Sequence, residues 1–229
     1  MAISRLTGQD AQGSRASGAG ATTVTATYPS ATTSGDLLIA VLDAGVPPLT
    51  FSITTGGTWT QSIQQTQGTQ NSLAIFYKLS DGTETTITGH SSVANQAISI
   101  DIFEYTGNAN PIVTDGTAAG ANTSGSVSSL ATPGITTTNA NDLIFVAAGF
   151  DFKPTSPAWS VSTTIGSNLP SSQSVVCGEH IVSSTQSGFT DTMQLGSSIA
   201  FWSVAICAFE ASGGATTHLS STVGLLGVG

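Results

Sequence analysis

Ser34-Gly35-Asp36-Leu37-Leu38-Ile39-Ala40-Val41 is a turn that opens into an unbroken apolar run. It returns as Asn139-Ala140-Asn141-Asp142-Leu143-Ile144-Phe145-Val146. Phe103-Glu104-Tyr105-Thr106-Gly107 returns, at the same separation, as Phe209-Glu210-Ala211-Ser212-Gly213. Between these anchors Trp59 answers to Trp159, each a few residues past a Pro/Gly-rich loop. The order of landmarks points to one unit of about a hundred residues present twice, a period too long for a solenoid repeat.

An apolar run such as 36–42 fits a strand covered on both faces. Around it the chain alternates small polar with apolar residues and is punctuated by turn residues. Strands are expected over 23–28, 36–42, 58–63, 72–79, 83–88 and 96–105. The second half repeats the plan over 127–130, 142–149, 159–165, 174–182, 189–195 and 199–210. Ile98, Ile100 and Ile102 share one face of their strand, while Ser99 and Asp101 share the other. No stretch carries a helical period with caps. The expected fold is all-β, a β-sandwich or jelly roll built from two pseudo-equivalent repeats with extended terminal arms. The expected layout is an N-terminal arm 1–20, repeat one 21–107, a connecting loop 108–126, repeat two 127–213 and a C-terminal arm 214–229. A half with six short strands has a thin core, which favours one shared sandwich over two small ones.

Composition narrows the function. Ser and Thr make up roughly three residues in ten, yet 39% of the 229 residues are hydrophobic and only 7% are charged. Disorder pairs low hydrophobicity with high charge, so the chain reads as globular. The net charge of −9 reflects a shortage of bases: Arg5, Arg15, Lys78 and Lys153 are all there are. That argues against nucleic acid and against an anionic membrane surface. No apolar run is long enough to span a bilayer, and residues 1–20 lack the apolar core of a signal peptide. A Ser/Thr-covered, Lys-poor protein without a leader fits a virion component made in the host cytoplasm and exposed on the particle surface.

Candidate chemistry is sparse. Asp36 and Asp142 each precede a strand and read as turn carboxylates that accept backbone N–H groups. Glu104 and Glu210 match across the repeat, whereas a glycosidase needs two carboxylates in different environments at one bond. His90, His180 and His218 lack metal-ligand spacing, and His180 aligns near Lys78, a position expected to face solvent. There is neither a Gly-x-Ser-x-Gly elbow nor a phosphate-cradling loop. Cys177 and Cys207 read as buried thiols, since a disulfide would need adjacent strands. No catalytic, cofactor or metal residue is assigned, and the chain is read as non-enzymatic. Trp59 and Trp159 are the candidates for stacking on a glycan, against a core-packing role for both, and Trp202 reads as core.

The Ser-Gly-Asp-Leu-Leu-Ile-Ala-Val pattern, the Trp after a loop, Phe76-Tyr77-Lys78 and Phe103-Glu104-Tyr105-Thr106-Gly107 resemble a β-sandwich domain of tailed-bacteriophage structural proteins. The resemblance spans most of 20–213 and lies in hydrophobic patterning. It implies a capsid decoration (cement) protein, a fibre module or an adhesin, with no catalytic residues. Its partners would be the major capsid protein or other virion proteins, further copies of itself, or a host surface glycan. The arms favour decoration. Ordering them costs on the order of 1 kcal/mol or more per residue, which partner surfaces would offset. In the C-terminal arm Val223, Leu225, Leu226 and Val228 are the expected assembly contacts.

Overall fold

The computed structural model describes residues 1–16, 22–45, 49–68, 70–94, 96–123 and 125–213. The expected C-terminal arm, with Val223, Leu225, Leu226 and Val228, and His218 beside it, lies outside the described residues. Those described form seventeen strands and no helix, so the all-β expectation holds. The first half comprises β1 (Ser4–Arg5), β2 (Ala11–Arg15), β3 (Thr23–Thr27), β4 (Leu37–Ala44), β5 (Phe51–Ile53), β6 (Thr60–Gln67), β7 (Asn71–Leu79), β8 (Thr86–Ser91) and β9 (Ile98–Thr106). The second comprises β10 (Ala119–Thr123), β11 (Val127–Ala131), β12 (Leu143–Phe152), β13 (Ala158–Trp159), β14 (Thr163–Asn168), β15 (Ser172–Ile181), β16 (Thr192–Ile199) and β17 (Trp202–Phe209).

Every strand pairing is antiparallel. The first half makes a large sheet, β1-β9-β4-β7-β6 with β2 also on β9, and a small one, β3-β8-β5. The second makes β10-β17-β12-β15-β14 and β11-β16-β13. Counting from β2 in one half and β10 in the other, both halves give the same strand order.

Side-chain alternation along β4 and β12 shows how these sheets stack. Leu37, Ile39 and Val41 join Leu143, Phe145, Ala147, Cys177 and Phe209 in a central core between the two large sheets. Leu38, Ala40 and Leu42 point the other way, onto Val24, Ala26, Phe51 and Ile87 beneath the first small sheet. Ile144, Val146, Ala148 and Phe150 do the same with Leu130, Trp159, Met193 and Ile199. The described residues form four sheet layers enclosing three cores. Aromatic edges interlock across the middle: Phe103 on Phe145 at 5.6 Å and Tyr77 on Phe209 at 5.1 Å.

This corrects the preference for one shared sandwich. Each half is a complete two-sheet sandwich, and the two are stacked back to back. The central strands are apolar on both faces because each large sheet has a small sheet on one side and the other large sheet on the other.

The expected N-terminal arm is likewise part of the sheet. β1 and β2 pair with β9, and Ile3 is 1% exposed in the central core. Gly13 lets β2 pass against β3, since a Cβ there would run into the carbonyl oxygen of Thr25. The connecting segment is structured too: β10 pairs with β17, and residues 109–115 exchange backbone hydrogen bonds with 208–210.

Register corrects the sequence alignment. Leu37 stands opposite Tyr105, and Leu143 opposite Phe209. The counterpart of Phe209 is therefore Tyr105 rather than Phe103, and that of Glu104 is Ala208 rather than Glu210. The slip is two residues, which keeps every side chain on its own face, whereas a slip of one would invert the strand.

Candidate functional site

Ionisable side chains gather at the ends of the stack and in its middle layer. At the start of β4, Gly35 takes φ 92°, and at the start of β12 Asn141 takes φ 68°, so the chain makes the same turn into both central strands. Ser80 N–H donates to the Asp36 carbonyl at 2.8 Å, and Val182 N–H to the Asp142 carbonyl at 3.0 Å. The two aspartates thus occupy equivalent places.

Each lies near a second carboxyl and keeps one buried oxygen without a hydrogen-bond partner. Beside Asp36 stands Glu104, whose Oε1 accepts the N–H of Thr33. Burial raises the pKa of both groups, against opposing hydrogen bonds from Thr106 to Asp36 and from Thr33 to Glu104. Asp142 Oδ1 accepts the N–H of Ala211 at 3.1 Å. Burial first, then the neighbouring Asp115, lifts Asp142 to about 7. Asp115 moves the other way: burial would raise it, but its neighbours, among them the Thr138 and Asn139 donors, outweigh that and lower it.

The first sandwich adds a buried ion pair. Lys78 on β7 bonds Glu84 and the Gly56 carbonyl, and Thr32 and Ser80 hydroxyls donate to Glu84 at 2.6 and 3.0 Å. Burial would raise the Glu84 pKa, but Lys78 and these donors take it down to about 2. The register partner of Lys78 is His180, as expected, because they stand opposite Leu38 and Ile144. Lys78 nevertheless turns inward and is 8% exposed, contrary to the solvent-facing expectation. His180 stacks on Phe189 at 5.1 Å.

Polar groups also bridge the middle layer. Arg5 pairs with Asp10 and reaches Glu179 at 3.2 Å. Asn168 Nδ2 donates to the Gly13 carbonyl at 2.8 Å, and Asn71 Nδ2 to Asp43 at 2.7 Å and Gln173 at 3.4 Å. Asp101, beside Cys177 and Gln12, is pushed up to about 8 by burial, against hydrogen bonds from Asn168 and Gln12. Cys177 and Cys207 are both free and buried. They face Ala147 and Phe145 from opposite sides of β12, so a whole strand separates them.

The tryptophans part company. Trp159 on β13 is 7% exposed inside the outer core, so its ring is not open to a sugar. It fills the space above Gly178, where a Cβ would strike the indole. The register counterpart of Gly178 is Phe76, which fills its own half's core directly. Trp59 precedes β6, is half-buried, and donates Nε1–H to the Thr55 carbonyl at 3.0 Å. Trp202 is core, as expected.

Concave surface is modest. A cleft of about 430 Å³ runs beside Asn108, Pro111, Val113, Glu210 and Gly213. A pocket of about 140 Å³ opens at the seam beside Gln61, Ser62, Tyr77, Thr114 and Cys207. The cleft places Ser212 near Glu210, but no hydrogen bond joins that hydroxyl to the carboxylate among the described residues. Among the described residues no three His, Cys, Asp or Glu side chains are placed to hold a metal ion. Sequence reasoning singled out Asp36, Asp142 and Glu104 one by one. It missed Asp115, Asp101 and the Lys78–Glu84 pair, whose partners come from other strands. Compared with known proteins, the chain matches no family model, no curated protein and no solved structure.

Proposed function

We propose that the protein is a non-enzymatic structural protein of a tailed-phage particle, a decoration (cement) protein on the outside of the shell. One observation carries the reading. Ionisable groups that the fold brings together are buried and hold one another or backbone N–H groups: Lys78 holds Glu84, Glu104 the Thr33 amide, Asp115 the Thr138 and Asn139 amides, and Asp142 the Ala211 amide. Groups held in this way stiffen a scaffold. Many modest contacts, repeated by the particle's symmetry, would stabilise the shell by mass action on the assembled state. Capsid subunits and further copies of the chain are the partners in this reading. The virion surface is the location.

We also read the two halves as copies of one ancestral unit, a jelly roll of eight strands in two sheets (β2–β9 and β10–β17), with β1 an extra strand on the first. Their common strand order and the shared Gly35/Asn141 turn support this. The test of function is to add purified protein to particles that lack it and measure occupancy and heat resistance. Saturable occupancy with raised heat resistance is expected, and no binding to shells overturns the proposal. A second reading, a carbohydrate-binding fibre or adhesin module, draws on Trp59, whose half-exposed ring is held by its Nε1–H bond. A glycan-array signal lost in Trp59→Ala would favour it.

A further inference from the structure

One end of the middle layer is polar where the rest is apolar. Asp43 follows Leu37, Ile39 and Val41 on the inner face of β4. Its carboxyl lies over Gly149 of the facing sheet, where a Cβ would run into Oδ1. Asn71 on β7 donates Nδ2–H to that Oδ1 at 2.7 Å, and Gln67 on β6 is the register partner of Asn71. Across the layer, Ser203 on β17 is the register partner of Gly149 and shares its face with Ala205 and Cys207 of the central core. Strands from both sandwiches thus bring four polar side chains to one space.

Each of the four keeps an oxygen without a hydrogen-bond partner: Asp43 Oδ2, Asn71 Oδ1, Gln67 Oε1 and Ser203 Oγ. Asp43, Asn71 and Ser203 are 0% exposed and Gln67 is 5% exposed. Buried acceptors of this kind are normally satisfied. The neighbouring donors are already committed. Asn71 Nδ2 serves Asp43 and, at 3.4 Å, Gln173; Gln173 Nε2 serves Asp151 at 2.8 Å and the Gln70 carbonyl at 3.4 Å. Elsewhere in the layer Arg5 supplies positive charge to Asp10 and Glu179. Among the described residues the ion pairs are those of Arg5 and Lys78, and none includes Asp43 or Asp151.

We propose that this cluster binds a hard divalent cation of the calcium class, which ties the two sandwiches together through Asp43, Asn71 and Gln67 of the first and Ser203 of the second. The donors are carboxylate, amide and hydroxyl oxygens. Calcium takes about six to eight such ligands in flexible geometry, whereas zinc favours nitrogen and sulfur. Amide and hydroxyl oxygens make up the set, so no third acid is required. Asp151, half-buried at the rim, adds a second negative charge to the approach. The site stands whether or not the protein decorates a shell.

The experiment strips the full chain with a chelator and titrates it with calcium chloride by calorimetry. A single calcium per chain should bind, and saturation at about 100 times Kd should raise the melting temperature by about 5–10 °C. Magnesium chloride should bind more weakly, because that ion dehydrates reluctantly. Asp43→Asn removes the charged ligand with little change of shape and should weaken calcium binding by at least about tenfold. Asp101→Asn, a buried acid outside the cluster, should leave the affinity unchanged. Where Asp43→Asn fails to fold, Ser203→Ala decides in its place: it deletes one hydroxyl and should weaken binding by about twofold or more. A wild type that binds no calcium overturns the site and leaves these oxygens to ordered water. Unchanged affinity in the deciding variant also overturns it, because the ion would then sit on surface acids.

Discussion

Asp115 donates its backbone N–H to the carbonyl of Ala208 at 3.0 Å, and that contact brings a carboxyl to a place where the second sandwich's own strand has none. In the first sandwich Glu104 on β9 stands beside Asp36 and accepts the Thr33 amide. Its register counterpart on β17 is Ala208. Asp115, on the connecting segment beside β17, stands near Asp142 and accepts the amides of Thr138 and Asn139 instead. The two halves set a second carboxyl beside the turn, one from a strand and the other from the connecting segment. Asp115→Ala should therefore destabilise the protein, since it strips three acceptor contacts from the loop before β12. The expected loss is about 1–3 kcal/mol by denaturant melts. Wild-type stability in that variant would mean that these contacts do not hold the loop.

Global stability should favour mild acid. Asp101, Asp142 and Asp10 are raised to about 8, about 7 and about 6, in each case chiefly by burial. A raised carboxyl contributes stability that is present in full below its unfolded value and lost as pH rises through its folded value. Melting temperature should accordingly fall from about pH 4 to about pH 8, the reverse of the usual trend for paired carboxylates. Asp101→Asn should flatten the upper part of that fall. A melting temperature that climbs steadily across this window contradicts the assignment.

Glu84 works in the opposite sense. Burial opposes its ionisation, but Lys78 and the neighbouring donors hold it near 2, so its contribution is present above the ordinary Glu range and is lost as pH falls through about 2. Lys78→Ala should cost about 3–5 kcal/mol, because it leaves a buried carboxylate without its cation. The double variant Lys78→Met/Glu84→Leu should lose much less. Equal losses in single and double variants would show that the side chains act by packing alone.

How far the sequence discloses this fold follows from what each side chain advertises. The runs after Asp36 and Asp142 announce doubly covered strands, and β4 and β12 are those strands. β2 (AQGSR) and β10 (AGANT) are built of small residues with little apolar area, so they read as an arm and a loop. The Pro-rich approach to β5 hides a three-residue strand. The expected strand at 159–165 is two pieces in different sheets, β13 on β16 and β14 on β15. The carboxyl pairs were not legible, because strand pairing rather than sequence spacing joins Asp36 to Glu104 and Asp142 to Asp115.

Removing residues 1–16 should damage the sandwich. Ile3 fills the central core, β2 covers the edge of β9, and Asn168 loses its acceptor on Gly13. The truncated protein should melt several degrees lower, since roughly 1 kcal/mol corresponds to about 2–4 °C in a chain of this size. A fully soluble truncation with an unchanged melting temperature would return these residues to the status of an arm.

The two tryptophans should separate cleanly on substitution. Trp159 is enclosed and covers Gly178, so Trp159→Ala leaves a cavity and should cost about 3–5 kcal/mol. Trp59 is half-buried and should cost clearly less. Acrylamide should quench Trp59 emission more readily than that of Trp159 in single-tryptophan variants. Equal quenching would contradict the burial of Trp159.

Neither sandwich should survive alone as a monomer. Separating the halves would uncover Leu143, Phe145, Val175 and Phe209 on one side and Leu37, Ile39, Leu73 and Phe103 on the other. Each face is a contiguous apolar surface of the kind that drives association. It would also strand Glu179 without Arg5 and Asn168 without Gly13. Residues 108–213 expressed on their own should dimerise through the exposed large sheet or aggregate, and sedimentation velocity distinguishes these outcomes from a monomer. Phe145→Asp in the full chain should mimic the separation, because it places a charge with no partner in the central core. A monomeric, cooperatively folding 108–213 would show that the middle layer is a contact between independent domains rather than a shared core.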